Sequence, residues 1–242
     1  MAETSKSSPL FEGPGKVKLE YFAIAGVAEK VRLALTCAKI PFDDIRINFA
    51  EWMGEDSRKK TAKYGQLPIL TLKDGTEIYQ SFAMMKYIGG NDPEGKLYPA
   101  GDIEKRLKID IAMGVTADLT RAFYPAMVIG MRPASLGHPA DMDSETKTAV
   151  IKSMRETFME EEFPKYMNYY KDLLDENGGQ FLSGDDLTIA DLDALHTVRY
   201  YALGIADFIP TDSLEAYPEI ESWIQRVLDY SSVKEYYANQ AK

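Results

Sequence analysis

Tyr21 stands near the end of an alternating run, KVKLEYF over 16–22, just ahead of a helical pattern that begins near Ala28. A phenol is protonated at neutral pH and donates one hydrogen bond, while a helix N-terminus adds a dipole that favours negative charge. Both effects converge on Tyr21 and make it a candidate for stabilising an anion. The competing reading is a half-buried strand aromatic, in a chain that has 15 tyrosines. Ser81, after Gln80, opens a second helical pattern, where a hydroxyl and free amides make either a carboxylate site or an ordinary cap.

Other chemistries lack their residues. The two histidines, His138 and His196, have no second His or Cys at metal-ligand spacing. The nearest match to a Gly-x-Ser-x-Gly elbow, 133–137, begins with proline. Gly15-Lys16 and Gly95-Lys96 precede Val and Leu rather than the Ser or Thr of a phosphate loop. Cys37, in VRLALTCAKI, reads as an inert core thiol. No metal and no redox cysteine are expected.

The elements that must position these residues follow from hydrophobic periodicity. Strand patterns cover 16–22 and 44–49, and a helical pattern lies between them over 28–39, ended by Pro41. A charged segment, 51–63, leads to two short strands around Asp74-Gly75, a strong hairpin signal, and then to a helix from Ser81 to Gly89-Gly90. Strands joined by a helix should pair in parallel, and the hairpin adds an antiparallel edge. The expected order is βαβαββα over 16–90, after a flexible tail over 1–15. A Pro/Gly-rich linker over 91–101 leads to an all-α domain over 102–242. In that domain Leu107, Ile111, Val115 and Leu119 form one apolar stripe, with Asp110 and Asp118 on another face. Thr188 and Asp191 have capping-box spacing ahead of Leu192, Leu195 and Val198.

Length and charge narrow the partners. A chain of 242 residues has ample length for a buried core, and its net charge of −10 repels phosphate backbones and anionic lipid. Neither nucleic acid nor membrane is an expected partner. The longest uncharged stretch, about ten residues from Ala122, is roughly half a bilayer span. The segment MAETSKSSPLFEGPG has no apolar core, and one cysteine cannot form an internal disulfide. Both point to a cytoplasmic protein.

Four stretches, in this order and spacing, resemble the cytosolic glutathione transferases, closest to their tyrosine-dependent, sigma- or pi-like classes. They are Leu19-Glu20-Tyr21-Phe22, Tyr64-Gly65-Gln66-Leu67-Pro68, Gln80-Ser81 and Leu187-Thr188-Ile189-Ala190-Asp191. The resemblance covers roughly 16–235 and implies an α/β thioredoxin-like N-terminal domain followed by the all-α domain. It implies glutathione as co-substrate, held as thiolate and conjugated to hydrophobic electrophiles. A free thiol near pKa 8.5 is only a few per cent ionised at neutral pH, and lowering it by two units takes roughly 2.7 kcal/mol of preferential stabilisation.

The same resemblance distributes roles. Tyr21 would donate to the sulfur. Phe22, Gln66, Leu67, Pro68, Gln80 and Ser81 would hold the tripeptide, with Pro68 in a cis bond and Ser81 on the γ-glutamyl carboxylate. Trp52 and Lys59 would meet the glycyl carboxylate, with Arg58, Lys60 and Lys63 as rivals. Asp118 would reach the glutathione of a neighbouring subunit in a homodimer. An electrophile pocket between the domains would use Ile24, Phe123, Tyr124 and Val128. One departure stands out: where tyrosine classes commonly carry Arg-Gly-Arg, this chain has Ala25-Gly26-Val27, leaving Arg32 as a candidate structural or electrostatic substitute. Two other readings share the resemblance, namely a non-catalytic ligand carrier or crystallin, and a glutathione-dependent isomerase of the prostaglandin type.

Overall fold

Alternation along Val17–Phe22 (β1) turns Val17, Leu19 and Tyr21 toward a buried face, and so builds the centre of a four-stranded sheet. A computed structural model of the chain describes residues 8–240. Helix α1 (Glu29–Cys37) buries Val31, Leu33, Ala34 and Leu35 and leads to β2 (Phe42–Ile47). The β2 strand pairs in parallel with β1, Leu19 opposite Asp44 and Phe22 opposite Ile47. Two short helices follow, α2 (Phe49–Met53), capped by the Asn48 side chain on the Glu51 amide, and α3 (Arg58–Thr61). Strands β3 (Ile69–Thr71) and β4 (Glu77–Ile78) form the antiparallel hairpin, turned by Gly75 at a φ of 90° that glycine adopts without a Cβ penalty. The strand order is β2-β1-β3-β4, and α4 (Ser81–Gly90) ends the motif. This is the thioredoxin-like βαβαββα order expected from the sequence.

The second unit is helical: α5 (Ile103–Val128), α6 (Ser144–Thr157), α7 (Phe163–Glu176), α8 (Ile189–Arg199) and α9 (Pro218–Asp229). Its core is aromatic, with Phe123, Phe158, Phe163 and Tyr201 in mutual ring contact. The capping box at α8 forms as the sequence indicates, Thr188 and Asp191 bonding reciprocally. A final helix, α10 (Ser231–Gln240), ends the described chain. Among the described residues no helix is long and apolar enough to cross a membrane.

Three expectations need correction. Residues 8–15 are not a loose tail: Leu10 is fully buried, and the Pro9 carbonyl and Gly15 amide pair with the backbone of Lys73. The apolar Leu10 has a hydrophobic site to fill, which offsets the entropy of ordering the segment. The 1–7 portion of the expected tail lies outside the described residues.

The division of the chain also differs. One unit runs to Arg106 and takes in the chain from Asp229 onward, and the other spans Leu107–Leu228. The boundary therefore falls inside α5, while the supposed linker is packed, with Leu97 and Tyr98 buried and the Asp92 carboxylate accepting from the Lys96 and Leu97 amides. Helix α10 belongs with the N-terminal unit because Val233 is buried and Tyr236 bonds to Glu29. On α5 the buried stripe is Ile109, Ala112, Met113, Thr116 and Leu119, whereas Leu107 is 54% and Ile111 50% exposed.

Candidate functional site

The phenol of Tyr21 is set by its own loop. Its side chain is buried, with the ring edge-on to Phe22 at 5.5 Å between centroids. The Val27 amide donates to its hydroxyl at 3.2 Å. The oxygen is thus already an acceptor, and its own proton is left to donate. Burial lifts the phenol above its ordinary pKa, an effect opposed by the Val27 N–H and by the positive charge of Arg32. Tyr21 therefore stays protonated across the neutral range, as a donor to an anion must.

Gly26 makes this geometry possible. It adopts a φ of 47°, and a Cβ there would fall 2.7 Å from the Tyr21 hydroxyl oxygen and 2.8 Å from its ring. Gly26→Ala must displace the ring, since Tyr21 is rigid and packed. A displacement approaching 1 Å costs about 10–100-fold in turnover when a reacting group is held this closely. Steady-state rates, beside a thermal melt showing the fold retained, check the prediction.

A pocket of about 200 Å³ opens next to this loop, lined by Val27, Tyr64, Gln66, Leu67, Pro68, Tyr79, Gln80 and Ser81. Five of the residues expected to hold the tripeptide are thereby brought together, and the Leu67–Pro68 bond is cis. Val27 joins the pocket wall to the Tyr21 hydroxyl. At the start of α4, Gln80 occupies the N-cap position at φ 68°, outside the region ordinary residues prefer, and no side chain caps the helix. Ser81 is consequently the first helical residue and not a cap. The amides of the first turn are thus left without a side-chain cap, an arrangement that suits an anion.

The remaining expected residues lie elsewhere. Trp52 is buried with Ile47, Ala62 and Ile69, edge-on to Phe22. It lines a separate pocket of about 600 Å³ that includes Glu20, Glu51, Asp56 and Arg58. The Lys59 ammonium points to the Met53 sulfur at 3.5 Å. Among its rivals, Arg58 is paired with Glu20 and Glu77, and Lys63 sits 5.3 Å from the Tyr64 ring centroid. Asp118 is exposed on α5 and pairs with Arg121 at 2.6 Å. Phe123 and Val128 are buried inside the helical unit, Phe123 against Phe158, Tyr200 and Tyr201, whereas Tyr124 is exposed. Ile24 is exposed on the loop after β1.

Three pocket residues had no role in the sequence reading: Val27, Tyr64 and Tyr79. Val27 acts through its backbone amide, which no side-chain pattern reveals; the glycine before it is the only sign. Tyr79, edge-on to Tyr64 at 5.5 Å, is delivered by the hairpin that delivers Gln80, so adjacency to Gln80 was the available signal. Cys37 is buried on α1 and its thiol is pushed up to about 12, by burial first and then by Asp92, so it is no nucleophile. Among the described residues no group of three or more His, Cys, Asp or Glu is placed to hold a metal ion.

Comparison with known proteins matches the fold over most of the chain. The family model for the glutathione S-transferase N-terminal domain matches residues 26–90, and that for the glutathione S-transferase C-terminal domain matches residues 140–240. The chain belongs to the glutathione S-transferase family. A glutathione S-transferase of Anopheles gambiae is 29% identical over 228 residues, covering 92% of this chain and 96% of the relative. Glutathione S-transferase P 1 of Xenopus laevis is 28% identical over 233 residues, covering 95% and 94%. Among solved structures, prostaglandin synthase D of Nilaparvata lugens superposes with a TM-score of 0.73 at 25% identity, covering 92% of this chain and 97% of that one. Family membership accounts for the pairing of a thioredoxin-like unit with a helical one.

Proposed function

We propose that this protein binds glutathione in the pocket at the start of α4, ionises its thiol beside Tyr21 and transfers the sulfur to apolar electrophiles. The observation that carries the reading is the Tyr21 hydroxyl: it accepts from Val27 at the pocket wall and keeps its own proton to donate. Ser81 and the uncapped first turn of α4 receive the γ-glutamyl carboxylate. The backbone of Leu67, before Pro68, pairs with the cysteinyl residue as an added strand would. Gln66 and Gln80 bond the remaining polar groups, and Phe22 backs the tyrosine. Trp52 with Lys59 is assigned to the glycyl carboxylate. Chemically, the step is attack of the thiolate sulfur on an electrophilic carbon, with departure of a leaving group or protonation of the adduct.

The working unit in this reading is a cytoplasmic homodimer of the sigma- or pi-like kind, in which Asp118 reaches the neighbouring subunit's glutathione. The exposed pair Leu107 and Ile111, one turn apart on α5, supports it as an apolar face suited to a two-fold partner. A second reading, glutathione-dependent isomerisation, draws support from the prostaglandin synthase likeness; product analysis separates the two, because an isomerase consumes no glutathione.

The deciding experiment is the ultraviolet absorbance of the bound glutathione thiolate across pH. The expected thiol pKa is about two units below that of free thiol, worth roughly 2.7 kcal/mol. Binding with an unshifted pKa would instead identify a carrier or crystallin-like protein that kept only the tripeptide site.

A further inference from the structure

Behind the loop that follows β1 lies an ion network that the chemistry described so far does not use. Arg32, on α1, is fully buried. Its Nε donates to both Asp44 carboxylate oxygens at 3.1 Å. Its Nη1 donates to the carbonyls of Ile24 and Ala25, at 3.1 and 3.0 Å, and to the Glu29 carboxylate at 3.2 Å. Arg46, on β2, donates to the same Asp44 carboxylate and to the Ile24 carbonyl at 3.3 Å. Glu29 is itself buried, and its second partner is the Tyr236 hydroxyl of α10, donating at 3.2 Å across 207 positions of sequence.

Burying a guanidinium is costly even when it is paired, and an apolar side chain of similar size would avoid that cost. What only the fork supplies here is geometry. One nitrogen grips two consecutive carbonyls of the loop, and the guanidinium carbon lies 5.8 Å from the centre of the Tyr21 ring. Two residues beyond the gripped pair, Val27 presents the amide that meets the Tyr21 hydroxyl. The remaining Arg32 nitrogen, Nη2, is buried and makes no hydrogen bond. Packing alone would not leave such a group unsatisfied; the residue is held by the demands of its other two nitrogens.

We propose that Arg32 is a positioning residue for Tyr21 and that the last helix of the chain sets it. Tyr236 holds Glu29; Glu29 and Asp44 hold Arg32; Arg32 holds the Ile24 and Ala25 carbonyls, and so aims the Val27 amide at the phenol. An oxygen that accepts one hydrogen bond donates its own proton more strongly, so the chain of bonds from α10 ends in a better thiolate stabiliser. Helix α10 thus contributes to the chemistry while supplying no residue to the pocket of about 200 Å³. The inference rests on the reading of Tyr21 as the donor to the thiolate.

The test is a set of double-mutant cycles read by the thiol pKa of bound glutathione, with kcat, the KM for glutathione and a thermal melt alongside. Arg32→Lys keeps the charge and loses the fork. It should raise the thiol pKa by about one unit and so lower kcat about tenfold near pH 5.5 and about threefold at pH 7, leaving the KM for glutathione within about twofold. Tyr236→Phe removes one hydroxyl and keeps the ring that packs on α1; it should lower kcat about two- to threefold in the same direction. In a Tyr21→Phe background neither substitution should move the thiol pKa further.

If Tyr21→Phe shifts the thiol pKa but both other variants leave it unchanged, or if their effects persist undiminished in that background, the positioning role is wrong and the function stands. If Tyr21→Phe itself leaves the thiol pKa unshifted, the reading of Tyr21 fails and takes this inference with it. Should Arg32→Lys not fold, Tyr236→Phe alone decides.

Discussion

Tyr21→Phe lowers turnover at neutral pH by about 10–100-fold, the scale of losing one donor aimed at a developing anion. The substitution keeps the ring that packs against Phe22 and deletes only the hydroxyl, so the fold should be unaffected. Its effect must depend on pH in a definite direction. With Tyr21 present the bound thiol ionises well below its free value, so the rate is already on its plateau at pH 7. Without the donor, the thiol returns toward about 8.5 and the rate climbs with pH until the sulfur ionises unaided. The ratio of the two rates is therefore largest below pH 7 and shrinks toward pH 9. Burial raises the phenol of Tyr21, so its own ionisation does not intrude on this window. The profile of kcat/KM for an aryl halide over pH 5.5 to 9, with glutathione saturating, measures the effect. A loss that is the same at every pH would mean that Tyr21 orients the substrate without ionising it, and an unchanged rate would remove it from the mechanism.

The parts of this site that were legible in the sequence are those written in local pattern. Alternation over 16–22, the Asp74-Gly75 turn and the serine at the start of α4 place Tyr21 and Ser81 in one unit, whereas Gln66 and Pro68 were singled out by the resemblance. The hairpin then brings Leu67-Pro68 and Gln80-Ser81 to one pocket wall. What stayed hidden depends on choices that pattern leaves open. Helix α5 carries two apolar stripes, and periodicity alone cannot say which is buried; the smaller residues Ala112 and Thr116 lie on the buried one, while Leu107 and Ile111 do not. The return of α10 to the first unit hangs on Val233 and on Tyr236 meeting Glu29, a contact between the two ends of the chain with no local signature. Trp52 and Lys59 came from the resemblance rather than from spacing, and they lie outside the lining of the small pocket.

The largest effect on stability is expected in the helical unit, at Asp191. Its carboxylate is completely buried, and burial raises its pKa above the ordinary range against the pull of its donors. Desolvation alone would argue for removing it. The donors decide otherwise. One oxygen accepts from the Leu182 amide at 2.9 Å and from the Trp223 indole N–H at 3.0 Å. The other accepts from the Thr188 amide at 2.9 Å and the Thr188 hydroxyl at 3.0 Å. The residue thus caps α8 and also ties it to α9 and to the turn before it. Asp191→Ala leaves three buried N–H groups without partners, each costing about 1–3 kcal/mol. After the recovered desolvation is set against them, the net loss is about 3–5 kcal/mol. At about 2–4 °C per kcal/mol for a chain of this size, the melting temperature falls by about 10–15 °C. Asp191→Asn keeps one acceptor oxygen but turns its NH₂ toward an N–H, so roughly half of that loss should remain. Thermal unfolding followed by circular dichroism resolves all three proteins. A melting temperature for Asp191→Ala within about 2 °C of the parent would show that water or backbone movement supplies the missing partners, and that this carboxylate does not hold the helical unit together.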